Sequence, residues 1–152
     1  DIGSISGGWV SSHFIKRGWT VNRARKTTLF IAALCAVPLL FVLQIDNPAI
    51  VVLLIGLGTA GHQAFSSNIF AMISDLYPRR AVATIAGMGG LAGAVGGIII
   101  AEVTGNVLEH IGTYWPVLIY AGFAYLIAFT VIHFLIPRME PAPLPDAAES
   151  VS

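Results

Sequence analysis

The sequence predicts an all-α polytopic membrane protein, and three observations predict it. First, of 152 residues 56% are hydrophobic and 11% charged, whereas a soluble domain carries roughly a quarter charged residues. Mean hydropathy is +0.81. Second, four stretches are apolar over the roughly 20 residues that a spanning helix needs. Third, the basic residues are confined to alternate connections between those stretches. The formal net charge of zero excludes a nucleic-acid binder held by phosphate contacts, and equally an acidic disordered chain. A single cysteine, Cys35, excludes a disulfide framework and a Cys-rich metal site.

The elements follow in chain order. Residues 1–15 read as the trailing part of a helix that ends at Lys16-Arg17 and is too short to span. Residues 27–45 carry no charge, and Pro38 inside them is expected to kink the helix. Residues 48–77 open with Asn47-Pro48, proline being favoured in a first turn where its missing N–H costs nothing. This third stretch is polar in its middle. Residues 81–106 are glycine-rich, and residues 115–136 are aromatic and aliphatic, bounded by Trp115-Pro116 and Pro137. The proline-rich segment 139–152 reads as a disordered tail. With no initiator Met and a short first helix, the chain reads as a piece of a larger polytopic protein.

The charges set an orientation. Lys16, Arg17, Arg23, Arg25 and Lys26 fall in one connection, Arg79 and Arg80 in the next but one, and Arg138 after the last helix. The connections near Asp46 and near Glu109-His110 hold no Lys or Arg. All eight basic residues thus sort to one side, and the positive-inside rule makes that side cytoplasmic. The C-terminus is then cytoplasmic.

Polar groups at mid-membrane depth are costly and mark a cavity or a helix contact. In the third stretch Thr59, His62, Gln63, Ser66, Ser67, Phe70 and Ser74 share one arc of about 140° at 100° per residue. Asn68 points away. An imidazole, an amide and hydroxyls on adjacent turns can hydrogen-bond a polyhydroxylated or carboxylated solute, and histidine can carry a proton. The competing reading is interhelical glue, which suits Ser66 and Ser67 best. Asp1 lies about 21 Å from the end of its helix at 1.5 Å per residue, so at membrane depth. It is either an ion or proton site or a structural partner.

In the glycine-rich stretch, Gly89, Gly93 and Gly97 repeat every fourth residue and are expected to let two helix backbones approach closely. A phosphate-cradling loop is excluded, since no strand precedes it and no Gly-Lys-Ser/Thr follows. No catalytic constellation is present, so an enzyme is not expected, nor is a cofactor or a metal.

Particular segments resemble a known family. Asp1-Ile-Gly-Ser-Ile-Ser-Gly-Gly-Trp-Val-Ser-Ser-His-Phe-Ile-Lys-Arg-Gly18, followed by Asn22-Arg-Ala-Arg-Lys26, resembles the end of helix eight and the eight–nine loop of major facilitator transporters. The anion:cation symporter branch is the most similar. Gly61-His-Gln-Ala-Phe-Ser-Ser-Asn68, Ser74-Asp-Leu-Tyr-Pro-Arg-Arg-Ala-Val82 and Ile85-Ala-Gly-Met-Gly-Gly-Leu-Ala-Gly-Ala-Val-Gly-Gly97 resemble helices ten and eleven of bacterial hexuronate transporters. His133 and Pro137-Arg-Met-Glu-Pro141 fit the end of helix twelve. One departure is Ser12-His13, standing where the superfamily's loop motif has Asp-Arg.

The resemblance implies part of helix eight to helix twelve of a C-terminal six-helix half, completed by a missing N-terminal half in a bacterial inner membrane. It implies proton-coupled uptake of a hexuronate-like organic anion by alternating access. It places His62, Gln63, Ser66, Ser67 and Thr59 in the central cavity. It places Arg17, Arg25 and Asp75 at a cytoplasmic gate, where Asp75 pairs with Arg17 or Arg25. The alternative is a small four-helix membrane scaffold or complex subunit without transport activity. The upstream genomic sequence separates the two. The transporter reading expects the frame to continue through further apolar stretches, and an immediate start codon would remove it.

Overall fold

A computed structural model describes residues 2–139. Asp1 and the tail residues 140–152 lie outside the described residues. Every described element is helical: α1 (Ile2–Lys16), α2 (Val21–Leu34) continuing into a 3-10 helix (Val37–Gln44), α3 (Pro48–Leu76), α4 (Arg79–Ile111) and α5 (Trp115–Leu135). Four spans are long and apolar enough to cross a membrane: Val21–Gln44, Pro48–Leu76, Arg79–Ile111 and Trp115–Leu135.

Several limits differ from the sequence reading. The second span starts at Val21, not at residue 27, so Arg23, Arg25 and Lys26 stand on the helix rather than in a loop. Thr20 caps it by accepting from the Arg23 amide at 3.3 Å. Three cations near a helix N-terminus oppose the macrodipole, and all three find partners described below. At Pro38 the chain does more than kink. The α-helix stops at Leu34 and resumes as a 3-10 helix with proline in its first turn, because proline has no N–H for the preceding turn and its ring clashes with it. α4 runs on to Ile111, so Glu109 and His110 are helical; it ends at Gly112, whose φ of 70° is the left-handed cap glycine tolerates. Asn47 caps α3, accepting from the Ala49 amide at 3.0 Å.

α3 is the hub. Leu29, Ala32 and Ala33 of α2 pack on Phe65 and Met72 of α3, with Tyr125, Leu126, Phe129 and Ile132 of α5 around them. α1 packs against both α2 and α3, and a Cβ on Gly7 would stand 2.7 Å from Ala64 Cα. A Cβ on Gly3 would run into the Ala60 carbonyl. α2 approaches just as closely, a Cβ on Gly61 falling 2.7 Å from the Ala32 carbonyl oxygen. Such approaches replace the hydrophobic drive that lipid does not supply between helices.

The glycine repeat of α4 does not play this part here. A Cβ at Gly89, Gly93 or Gly97 would meet nothing within 4 Å, and no residue of α4 is buried within this chain. The close approaches come instead from Gly3, Gly7 and Gly61.

Gly61→Val should therefore lower the thermal stability of the purified protein by about 1–3 kcal/mol, the usual cost of overpacking. Gly8→Ala, where added atoms meet nothing within 4 Å, should leave it unchanged or raised. A scan of both variants by thermal unfolding in detergent checks the contrast.

Candidate functional site

His62 stands midway along α3, 14 residues from each end, and so at mid-depth of the span. Its Nδ1 shares a 2.6 Å hydrogen bond with the Tyr125 hydroxyl of α5. The Tyr125 ring also meets Phe65 edge-on at 5.3 Å between centroids, which fixes its pose. A cavity of about 250 Å³ opens beside the pair, lined by Leu39, Ile55, Gly58, Thr59, Ala121 and the pair itself. On the other side of Thr59 a second cavity of about 570 Å³ is lined by Ile2, Gly3, Gly56, Thr59, Ala60 and Gln63. Thr59, His62 and Gln63 are thus brought together on an exposed face with space before them.

Ser66 and Ser67 are not part of that lining. Ser66 is half-buried and lies outside both cavities. Ser67 Oγ donates to the Ala64 carbonyl at 3.0 Å and lies 3.4 Å from the Ser4 carbonyl, so it ties α3 to α1. Asn68 is fully buried; its Nδ2 donates to the Ala64 carbonyl at 2.9 Å. Its Oδ1 is buried without a hydrogen-bond partner among the described residues.

At the basic end of the bundle Arg25 bridges three helices. Its Nε donates to Asp75 Oδ2 at 2.9 Å and its Nη1 to Ser11 Oγ at 2.7 Å. Ser11 Oγ in turn lies 3.2 Å from the Gly8 carbonyl. Of the two cations considered for Asp75, Arg25 is the partner. Arg17 is exposed, and its backbone N–H bonds to the His13 and Phe14 carbonyls at 3.1 Å. Arg23 stacks on the Trp19 ring at 4.1 Å. Lys26 Nζ donates to the Pro137 carbonyl at 3.0 Å, which pins the exit of α5 to the start of α2. No group of three or more His, Cys, Asp or Glu residues able to hold a metal ion occurs among the described residues.

The Major Facilitator Superfamily model matches residues 2–151. The chain belongs to the Major Facilitator Superfamily. It is 27% identical over 126 residues to a D-galactonate transporter of Escherichia coli O6:H1, covering 83% of this chain and 29% of that one. It is 28% identical over 141 residues to the probable galactarate/D-glucarate transporter GarP of Escherichia coli K12, covering 91% and 32%. It is 29% identical over 114 residues to the hexuronate transporter of the same strain, covering 74% and 26%. The chain therefore spans about a third of the length of these relatives. It is a multi-pass member of this superfamily, related to its anion transporters.

Tyr125 is the site residue that sequence reasoning missed. Its one signal was depth. Tyrosine normally sits at the membrane–water interface, and Tyr125 stands in the middle of the span Trp115–Leu135.

A double-mutant cycle on Arg25→Gln and Asp75→Asn should give a coupling of about 1 kcal/mol, near the upper end for ion pairs that keep some solvent contact. Thermal unfolding of the two single variants and the double variant reads it. Strict additivity would show that the pair does not hold α2 to α3.

Proposed function

We propose that this chain is the part of a secondary transporter that lines its solute path, carrying a sugar acid across a bacterial inner membrane by alternating access with proton coupling. The observation that carries the reading is the His62–Tyr125 pair opening on a cavity at mid-span. Relatives named for galactonate, galactarate/glucarate and hexuronate support the solute class. All of these are hydroxylated carboxylates, which an imidazole, an amide and a threonine hydroxyl can bind by hydrogen bonds.

In this reading the Tyr125 hydroxyl engages Nδ1 and fixes the ring, leaving Nε2 of His62 to meet the solute or exchange a proton. Thr59 stands between the two cavities, and Gln63 presents its amide to the larger one. Helices eight (in part) to twelve are the share of the transporter supplied here. The glycine face of α4 then packs against the remainder, the missing N-terminal half included. That remainder also supplies the positive charge for the solute's carboxylate, since the eight basic residues of this chain gather at one end. Asp1, outside the described residues, stays a candidate ion or proton site.

The Arg25–Asp75 bridge acts as the cytoplasmic gate, with Arg17 at its rim. It ties α2 to α3 when the protein faces outward and parts when it faces inward. The C-terminus lies in the cytoplasm under the positive-inside rule.

Cells expressing the full-length protein should take up labelled glucuronate or galactonate, and His62→Ala should reduce uptake at least tenfold, within the range general acid–base groups contribute. Uptake undiminished in His62→Ala would remove the cavity assignment. Asp75→Asn should shift thiol-reagent accessibility toward the inward-facing form, and unchanged labelling would count against the gate.

A further inference from the structure

We propose that the groove between α2 and α5, at the basic end of the bundle, binds the headgroup of an anionic phospholipid. The proposal rests on the chain spanning a membrane and is independent of the solute carried. A cavity of about 340 Å³ there is lined by Lys26, Thr27, Phe30, Phe129 and His133. It shares no residue with the cavity beside His62.

The lining is layered. Lys26 and Thr27 stand in the first turns of α2, with Phe30 one turn deeper. On the oppositely directed α5, His133 stands in the last turn, with Phe129 one turn deeper. Hydrogen-bond donors therefore share the level nearest the membrane surface, and two aromatic rings form the floor below. Those rings lie 5.3 Å apart between centroids, and Phe129 lies 5.8 Å from the His133 ring. The ammonium of Lys26 has three N–H donors, and the Pro137 carbonyl takes one. The Thr27 hydroxyl and a His133 ring N–H add to them. Among the described residues no carboxylate lines the groove, and Asp75 is engaged by Arg25.

A phosphodiester monoanion complements this donor layer, and acyl chains complement what lies below it. Phe30 and Leu34 share one face of α2 and are large and exposed, and Phe129 of α5 stands opposite Phe30. A free anion would use only the upper layer. Basic pockets between spanning helices on the cytoplasmic side are where anionic headgroups are held, and all eight Lys and Arg residues gather at this end.

The test is lipid retention by the full-length protein, purified in detergent and titrated with phosphatidylglycerol or phosphatidylcholine, read by native mass spectrometry. Phosphatidylglycerol should be retained at least fivefold over phosphatidylcholine, and Lys26→Gln should lower its retention about fivefold, as expected for one cation near the headgroup. Because Lys26 also holds Pro137, the second variant is His133→Leu, which leaves that bond intact and should lower retention about threefold. Inorganic phosphate at equal molarity should not displace the lipid. Equal retention of the two lipids, displacement by inorganic phosphate, or retention unchanged in a folded Lys26→Gln or His133→Leu variant would overturn the proposal.

Discussion

A hydrogen-bonding or charged group that enters the hydrocarbon of a bilayer without a partner loses its water and receives nothing in return, and it is rarely tolerated there. This cost arranges the molecule. It drives the Lys and Arg residues to one end, where Arg25 meets Asp75 and Ser11 and Lys26 meets the Pro137 carbonyl. Along the spans it turns isolated hydroxyls back onto their own helices. Thr28 donates to the Ala24 carbonyl, Thr59 to Ile55 and Thr130 to Leu126. At mid-depth it gives His62 the Tyr125 hydroxyl. Asn68 departs from this, its amide oxygen buried and unpartnered among the described residues, as is that of Asn22 near the start of α2.

The same cost explains how helices meet. Lipid offers no hydrophobic gain for helix association, so contact area must come from close backbone approach. Gly3, Gly7 and Gly61 supply it around α3, and the hub so formed holds the His62 face at a fixed distance from α5. α4, with its exposed glycine repeat, takes little part in that hub. The two kinds of glycine surface divide the chain into a packed group of α1, α2, α3 and α5 and a helix whose small-residue face is open.

Much of this was legible in the residues, because apolar length and charge placement report directly on a membrane. Asn47-Pro48 marked the start of α3, and the polar middle of that helix marked the side facing the cavities. What escaped notice has physical causes. Arg23, Arg25 and Lys26 read as a connection because the uncharged apolar run begins only at residue 27, yet the helix extends over them, with Asp75 and the Pro137 carbonyl engaging two of them. Pro38 read as a kink, whereas it stands in the first turn of a run of 3-10 helix. The close approaches at Gly3 and Gly7 went unread although they have the same four-residue spacing as the glycines of α4, because one such step in a short helix makes a weaker pattern than the repeat at Gly89, Gly93 and Gly97. Tyr125 escaped because its partner stands 63 residues away, and no local period connects the two.

In the proposed transporter, one face of α3 borders a water-accessible solute path and the other is sealed in the protein. Substituted-cysteine labelling of the full-length protein in a Cys35→Ser background tests it directly, with a membrane-impermeant thiol reagent. Cysteines at Thr59 and Gln63 should react and be protected by a sugar acid, while those at Phe65 and Asn68 should stay unreactive. Equal reactivity on the two faces, or an inert Thr59 and Gln63, would contradict it.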